Sequence, residues 1–267
     1  MSNTLLEIKN LTVSVEKAGM RTAIVKGVDI KVPQGKIVGL VGESGCGKSM
    51  TAKTINGILP TAAKVTEGAV LWHGNPNTET DLARLSEEKL RKLCGSQIGM
   101  VFQESRLFPW LSVQKNISFG ITDKEVSKKE KKRRVSEMIK LVGLTGFERA
   151  LPKQLSGGMQ RRVALARAMA IRPSILVMDD TTSAVDSETE QSIQNELRHL
   201  PFPCTKFIIA QRISSMRDAD LILVLEDGRI TECGTHEELI RRKGYYHQTY
   251  VLQCGLKGTE EATAYGA

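Results

Sequence analysis

The sequence predicts an α/β fold: a mainly parallel sheet, an antiparallel β part at the N-terminal end and a helical subdomain inserted in the middle. Three observations carry this. The apolar run Ile37-Val38-Gly39-Leu40-Val41 passes through a glycine-rich turn into a helical segment at 50–59. Further apolar runs at 175–178, 206–210 and 221–225 have the length of buried strands. From Gln103 to about Ile171 strand signals vanish, and helical patterns at 135–144 and 159–171 replace them.

The elements follow in order. Leu6-Glu7-Ile8-Lys9 and Leu11-Thr12-Val13-Ser14-Val15 alternate as strands do, and Ala18-Gly19 reads as a turn. Strand character continues over 24–32, and Pro33-Gln34-Gly35 turns the chain into the run at Ile37. Gly57 and Pro60 stop the first helix. Gly68-Ala69-Val70-Leu71-Trp72 is a short strand closed by Gly74-Asn75-Pro76, 82–93 is helical, and 98–102 returns to strand. After the insertion, Asp227-Gly228 is a tight hairpin turn into Arg229-Ile230-Thr231. Thr235 and Glu238 have the spacing of a capping box, and 256–267 are small, polar and expected to fray. The expected organisation is one domain over 1–240, with a core at 1–102 and 172–240 around an insertion at 103–171. A C-terminal helix and tail occupy 241–267.

Composition narrows the classes. With 40% hydrophobic and 25% charged residues the 267-residue chain is an ordinary globular protein. No apolar run approaches the roughly 18 residues of a membrane span, and Met1-Ser2-Asn3-Thr4 lacks a signal pattern, so a cytosolic chain is expected. The net charge of +8 is concentrated in Lys128-Lys129-Glu130-Lys131-Lys132-Arg133-Arg134. Val135, Met138, Ile139 and Val142 follow at helical spacing, which makes the run the solvated start of an amphipathic helix. A nucleic-acid groove would interleave aromatics among the basic residues, and this run has none. Five scattered cysteines include no pair at zinc or redox spacing, and His236-Glu237-Glu238 lacks the second histidine of a zinc helix.

Gly42-Glu43-Ser44-Gly45-Cys46-Gly47-Lys48-Ser49, followed by Met50, is a phosphate cradle. Backbone N–H groups of the turn and of the helix start converge on an anion. Lys48 supplies charge for the β- and γ-phosphates, and Ser49 offers a hydroxyl to Mg²⁺. The expected ligand is a nucleoside triphosphate. Ile175-Leu176-Val177-Met178-Asp179-Asp180 is a buried strand ending in two carboxylates, of which Asp179 suits the Mg²⁺ shell and Asp180 the attacking water. Leu155-Ser156-Gly157-Gly158-Met159-Gln160 is a second anion-binding helix start, with Ser156 at the N-cap.

This ordered set resembles the ABC transporter ATPases over nearly the whole chain. Gly42–Ser49 resembles their Walker A motif, Gln103 their Q-loop, Leu155–Gln160 their signature motif and Ser183-Ala184-Val185-Asp186 their D-loop. The resemblance implies a P-loop NTPase with a RecA-like sheet, and ATP and Mg²⁺ as cofactors, with Ser49, Gln103 and Asp179 about the metal. It also implies a head-to-tail pair with a second cassette, whose site the signature motif completes. The further partners are two transmembrane permease subunits and a substrate-binding protein, at the cytoplasmic face of the membrane, with no nucleic acid.

Three positions depart from the family pattern. Asp180 stands where glutamate is usual, Gln211 where a histidine is usual, and Val15 where an adenine-stacking aromatic is expected. A carboxylate drawn back by about 1 Å can slow catalysis about a hundredfold. Glutamine donates a hydrogen bond but carries no imidazolium charge. The expectation is an asymmetric pair in which this chain's own site, with Asp180, Gln211 and Gln103 as catalytic residues, turns over slowly. Phe108, Pro109 and Trp110 form an apolar knot after Gln103 and are candidates for the membrane-subunit contact. Import of peptide, nickel or another small solute is the first reading, because no span is fused to the cassette. A separate-chain exporter cassette and a soluble ABC ATPase acting on nucleic acid or ribosomes are the alternatives.

Overall fold

The structure, a computed structural model, describes residues 4–17, 19–75, 78–123, 125–179, 197 and 200–254. Among them are two sheets. The antiparallel one has the order β2-β1-β4-β5, with β1 Thr4–Lys17, β2 Met20–Pro33, β4 Ala63–Asn75 and β5 Thr78–Asp81. The second has the order β10-β9-β3-β8-β7-β6. It comprises β3 Ile37–Gly42, β6 Ile98–Val101, β7 Ile175–Asp179, β8 Thr205–Ile209, β9 Leu221–Glu226 and β10 Arg229–Gly234. It is parallel except for the β9–β10 hairpin. The hairpin turns at Asp227-Gly228, both at positive φ (44° and 79°). That is the I′ geometry that an Asp-Gly pair favours.

Strand alternation divides the core. Leu176, Met178, Ile208, Ile222 and Val224 face one cluster, shared with the helices of the inserted region and the C-terminal helices. Val177, Phe207, Ile209, Leu223 and Leu225 face the other, shared with the antiparallel sheet. Every residue of β7 and β8 is buried, as expected of parallel strands covered on both sides.

The helices are α1 Lys48–Ile55, α2 Glu87–Cys94, α3 Val113–Gly120, α4 Lys128–Leu141, α5 Gly157–Met169, α6 His236–Arg242 and α7 Tyr245–Cys254. Several bounds differ from expectation for local reasons. The first two strand segments are one strand, irregular where Asn10 takes φ 44° and its N–H donates to Asp29 Oδ1 at 2.9 Å. β4 outruns the predicted 68–72 because β1 offers partners from Leu6↔Trp72 to Val15↔Ala63. Gly74 and Asn75 therefore belong to the strand, and β5 pairs back on it. The helix predicted at 82–93 is broken: Asp81 caps a short 3-10 turn at Leu82–Arg84, and α2 starts only after Ser86. α1 begins at Lys48 and ends at Ile55, with Asn56 as C-cap, short of the predicted Leu59. In α4 the basic run forms the first two turns, capped by Ser127, with Val135, Met138 and Ile139 buried behind it. Thr235 and Glu238 form both bonds of the capping box that opens α6. No helix among the described residues is long and apolar enough to cross a membrane.

The turn that leaves β3 is set by one close approach. Gly42 has φ 149°, and a Cβ there would run into the Leu225 carbonyl oxygen of β9, with Cys46 Sγ at 3.0 Å. Gly45 has φ 85° but faces open space. Gly45→Ala is expected to cost about 1–2 kcal/mol, the strain of the left-handed backbone alone. Gly42→Ala adds a collision with a backbone atom and is expected to cost about 3 kcal/mol or more. Thermal unfolding of the two variants checks this, and equal melting temperatures would contradict the close approach.

Candidate functional site

The parallel register brings three chain exits level. Leu40 of β3 and Asp179 of β7 both pair with Ile209 of β8, which lies between the two strands. The glycine-rich loop leaves β3, Asp179 ends β7, and Gln211 follows β8 by two residues. The carboxyl edge of a parallel sheet is where such folds place their ligands.

Lys48 is almost fully buried. Its Nζ donates to Gly42 O at 2.8 Å and Glu43 O at 2.6 Å, and lies 3.7 Å from Cys46 Sγ. The loop thus curls around its own ammonium group. The first helical bond runs from Thr51 N to Gly47 O at 3.0 Å, so the amides of Lys48, Ser49 and Met50 precede the ladder at the open end of α1. Ser49 Oγ donates to Asp179 Oδ1 at 2.7 Å, and Asp179 is 4% exposed. A buried carboxylate touching a hydroxyl beside a ring of amides suits a small divalent cation held with phosphate oxygens.

A cleft of about 430 Å³ opens in front of the loop. Gly42, Glu43 and Ser44 form one wall, Gln211 and Ile213 another, and Tyr245 and Gln253 of α7 a third. Burial pushes the Tyr245 hydroxyl above its usual range, with Glu43 and Glu226 adding to the effect. The predicted residues Gly42–Ser49, Asp179 and Gln211 are therefore brought together. Asp180 and the stretch Ser183-Ala184-Val185-Asp186 lie outside the described residues. Val15 sits half-buried in β1, paired with Thr22 and Ala63.

The second helix start is separate. Ser156 Oγ accepts from Met159 N at 3.2 Å and caps α5, with Ser156 and Gly157 exposed and Leu155 buried beneath them. Gln160 turns back on its own approach, donating to Pro152 O at 3.0 Å and Leu155 O at 3.3 Å. Gln103 is exposed just past β6. The chain following it is fastened to α5: Ser105 Oγ donates to Gln160 Oε1 at 3.4 Å, and Arg167 donates to Arg106 O at 2.9 Å and Ser105 O at 3.2 Å. Burial lowers the Arg167 guanidinium below its ordinary value. The sequence reading missed Arg167, although it lies seven residues from Gln160 and so on the same helix face.

Phe108 is half-buried against Phe119 of α3, with ring centroids 4.5 Å apart, and lies 5.7 Å from Trp110. Trp110 is 71% and Phe119 55% exposed. The fully buried Asn116 holds this loop, accepting from Phe108 N at 2.9 Å and donating to Leu111 O at 2.8 Å. Phe119 extends the predicted aromatic knot from a helix that the sequence had not marked.

Comparison with known proteins agrees with this geometry. The family described as ABC transporter matches residues 25–183. The chain is 37% identical over 254 residues to the uncharacterized ABC transporter ATP-binding protein YknU of Bacillus subtilis, covering 93% of this chain and 40% of that protein. It is 35% identical over 233 residues to the methionine import ATP-binding protein MetN 1 of Oenococcus oeni, covering 86% and 64%. These relatives are thus longer, and the chain spans between 40% and 64% of their length. Among solved structures, the ATP-binding cassette MJ0796 bound to ADP and Pi superposes with a TM-score of 0.76 at 29% identity, covering 86% of this chain and 98% of that one. A bacterial Atm1-family ABC exporter with ATP bound gives 0.78 at 30%, covering 97% and 43%. The chain belongs to the ABC transporter family of ATP-binding cassettes, with the α/β P-loop NTPase fold of that family.

Proposed function

We propose that the chain is the ATP-binding subunit of a multi-subunit ABC transporter, an ATPase whose binding and hydrolysis of ATP at a cassette interface drive transport. The observation that carries this is the meeting of Gly42–Ser49, Asp179 and Gln211 at one sheet edge, while the capped start of α5 stands apart from it. In a head-to-tail pair, that capped start on one cassette meets the phosphate loop of the other. ATP gripped by both then holds the pair together, since a ligand that binds only the closed form stabilises it.

Within the site, the loop amides and Lys48 bind the phosphates, Ser49 and Asp179 hold the cation with Gln103, and Gln211 donates to the γ-phosphate. Bound Mg²⁺ supplies charge neutralisation along the phosphates. Asp180 orients the attacking water, and its short side chain, together with the uncharged Gln211, makes this chain's own site the slower one. Leu155, Ser156, Gly157, Gly158, Met159 and Gln160 serve a faster partner cassette. The transported cargo is a small solute taken up from outside, a reading supported by the import proteins among the relatives. Export through separate membrane chains is the second reading; its export half is supported by the exporter structure, of whose longer chain this one covers 43%.

Phe108, Pro109 and Trp110 contact the permease subunits at the cytoplasmic face. The exposure of Trp110 and Phe119 supports this, as does the fastening of the preceding segment to α5 by Arg167. Movement at the aromatic loop is thereby handed to the helix that reaches the partner's nucleotide.

ATPase assays of the chain alone and paired with a partner cassette test the asymmetry. Slow turnover alone, with ATP binding abolished by Lys48→Ala, is expected; brisk turnover by the isolated chain would overturn the slow-site reading. Trp110→Ala is expected to weaken co-purification with the permease subunits and leave ATP affinity within about twofold, because the side chain lies outside the cleft. Asn116→Ala strands the Phe108 N–H and is expected to destabilise by about 1–3 kcal/mol. Thermal unfolding checks it, with a shift of roughly 2–4 °C per kcal/mol.

A further inference from the structure

The loop that carries Gln211 leaves the sheet at Ile209, and Ala210 N makes its last ladder-like bond, to Leu40 O at 3.2 Å. Beyond it the backbone needs other partners. One side chain supplies two of them. Gln253 Oε1 accepts from Ile213 N at 2.8 Å, and Gln253 Nε2 donates to Gln211 O at 3.0 Å. A primary amide carries an acceptor and donors side by side, so one side chain can hold a C=O and an N–H of the same loop at once.

Gln253 is itself held from behind. Tyr246, on the same helix α7, is fully buried, with its hydroxyl 2.9 Å from His236 Nδ1 and its N–H donating to Glu232 Oε1 at 3.2 Å. The C-terminal helix is thereby anchored to α6 and β10 at one end. Along one side, Tyr245, Thr249 and Gln253 line the cleft in front of Gly42–Ser44.

We propose that Gln253 is a positioning residue: it fixes the backbone on either side of Arg212 so that the Gln211 side chain is presented to the γ-phosphate. This rests on the nucleotide reading of the site. The claim concerns the third phosphate only, because both of these Gln253 hydrogen bonds go to the Gln211 loop.

Equilibrium titration of the full chain with ATP and with ADP tests it. Gln253→Ala is expected to leave ADP affinity within about twofold and to weaken ATP roughly tenfold or more, the size of a displaced hydrogen bond to a charged group. Gln211→Ala is expected to give the same loss, and the double variant no further loss, because the two act through one contact. The near-isosteric Gln253→Glu keeps the acceptor for Ile213 N but turns a carboxylate toward Gln211 O. It is expected to shift the ATP-to-ADP ratio in the same direction, and it carries the test if the alanine variant fails to fold. An unchanged ratio in both Gln253 variants overturns the proposal, as does an equal loss for ATP and ADP. The unmodified chain separates the two levels: if it shows no measurable affinity for ATP or ADP, the nucleotide reading itself falls. If it binds both while the ratio stays fixed in the Gln253 variants, only the positioning role falls.

Discussion

Level pairing of β3 and β7 on either side of β8 is the constraint on which the rest depends. It places the exit of the glycine-rich loop beside the end of β7, so that Ser49 reaches Asp179 at 2.7 Å. A slip of one residue would move the carboxylate by about 3.3 Å and turn alternate side chains to the wrong face. The core forbids that slip, because Leu176 and Ile208 pack in one cluster while Val177 and Phe207 pack in the other. Hydrophobic sorting thus fixes the position of a polar pair.

Much of the architecture is legible in the sequence because its signals are local. A run such as Ile175–Met178, a glycine-rich turn before Lys48, or Ser156 ahead of an alanine-rich helix each contain their own explanation. The misreadings occur where a partner far along the chain decides. Nothing near Ala63 or Asn75 says that β4 runs the full length of β1; the register with Leu6–Val15 does. The 3-10 turn at Leu82 follows from Asp81, which caps it and also accepts from Val70 N at 3.2 Å. At the site, the phosphate loop and Asp179 are readable as motifs. Arg167 and Gln253 are not, because their function is to hold backbone carbonyls and amides contributed by other segments, and such partners leave no trace in spacing.

The positive charge of the chain also takes its meaning from the fold. On α4, Arg133 and Arg134 both bond Glu130, Arg133 also bonds Glu137, and Glu137 reaches Arg172 at 3.2 Å. Hydrogen bonds from Arg133 and Arg134 hold the Glu130 carboxyl down at about 2. The densest basic stretch is therefore partly neutralised along its own helix and offers a broken pattern of charge to a polyanion. A net +8 describes composition, whereas the local field is set by which carboxylates fall three and four residues away.

The ammonium of Lys48, seated between the carbonyls of Gly42 and Glu43, bears on discrimination among small anions. A cation already solvated by two carbonyl dipoles attracts a passing anion less than a bare one does. An inorganic phosphate or sulfate ion offers few oxygens with which to offset the loss of those two bonds. A triphosphate chain that also engages the amides along the loop and the Ser49–Asp179 pair offsets it many times over. On the nucleotide reading proposed above, those two bonds set a threshold that a longer polyphosphate clears more readily than a single small anion.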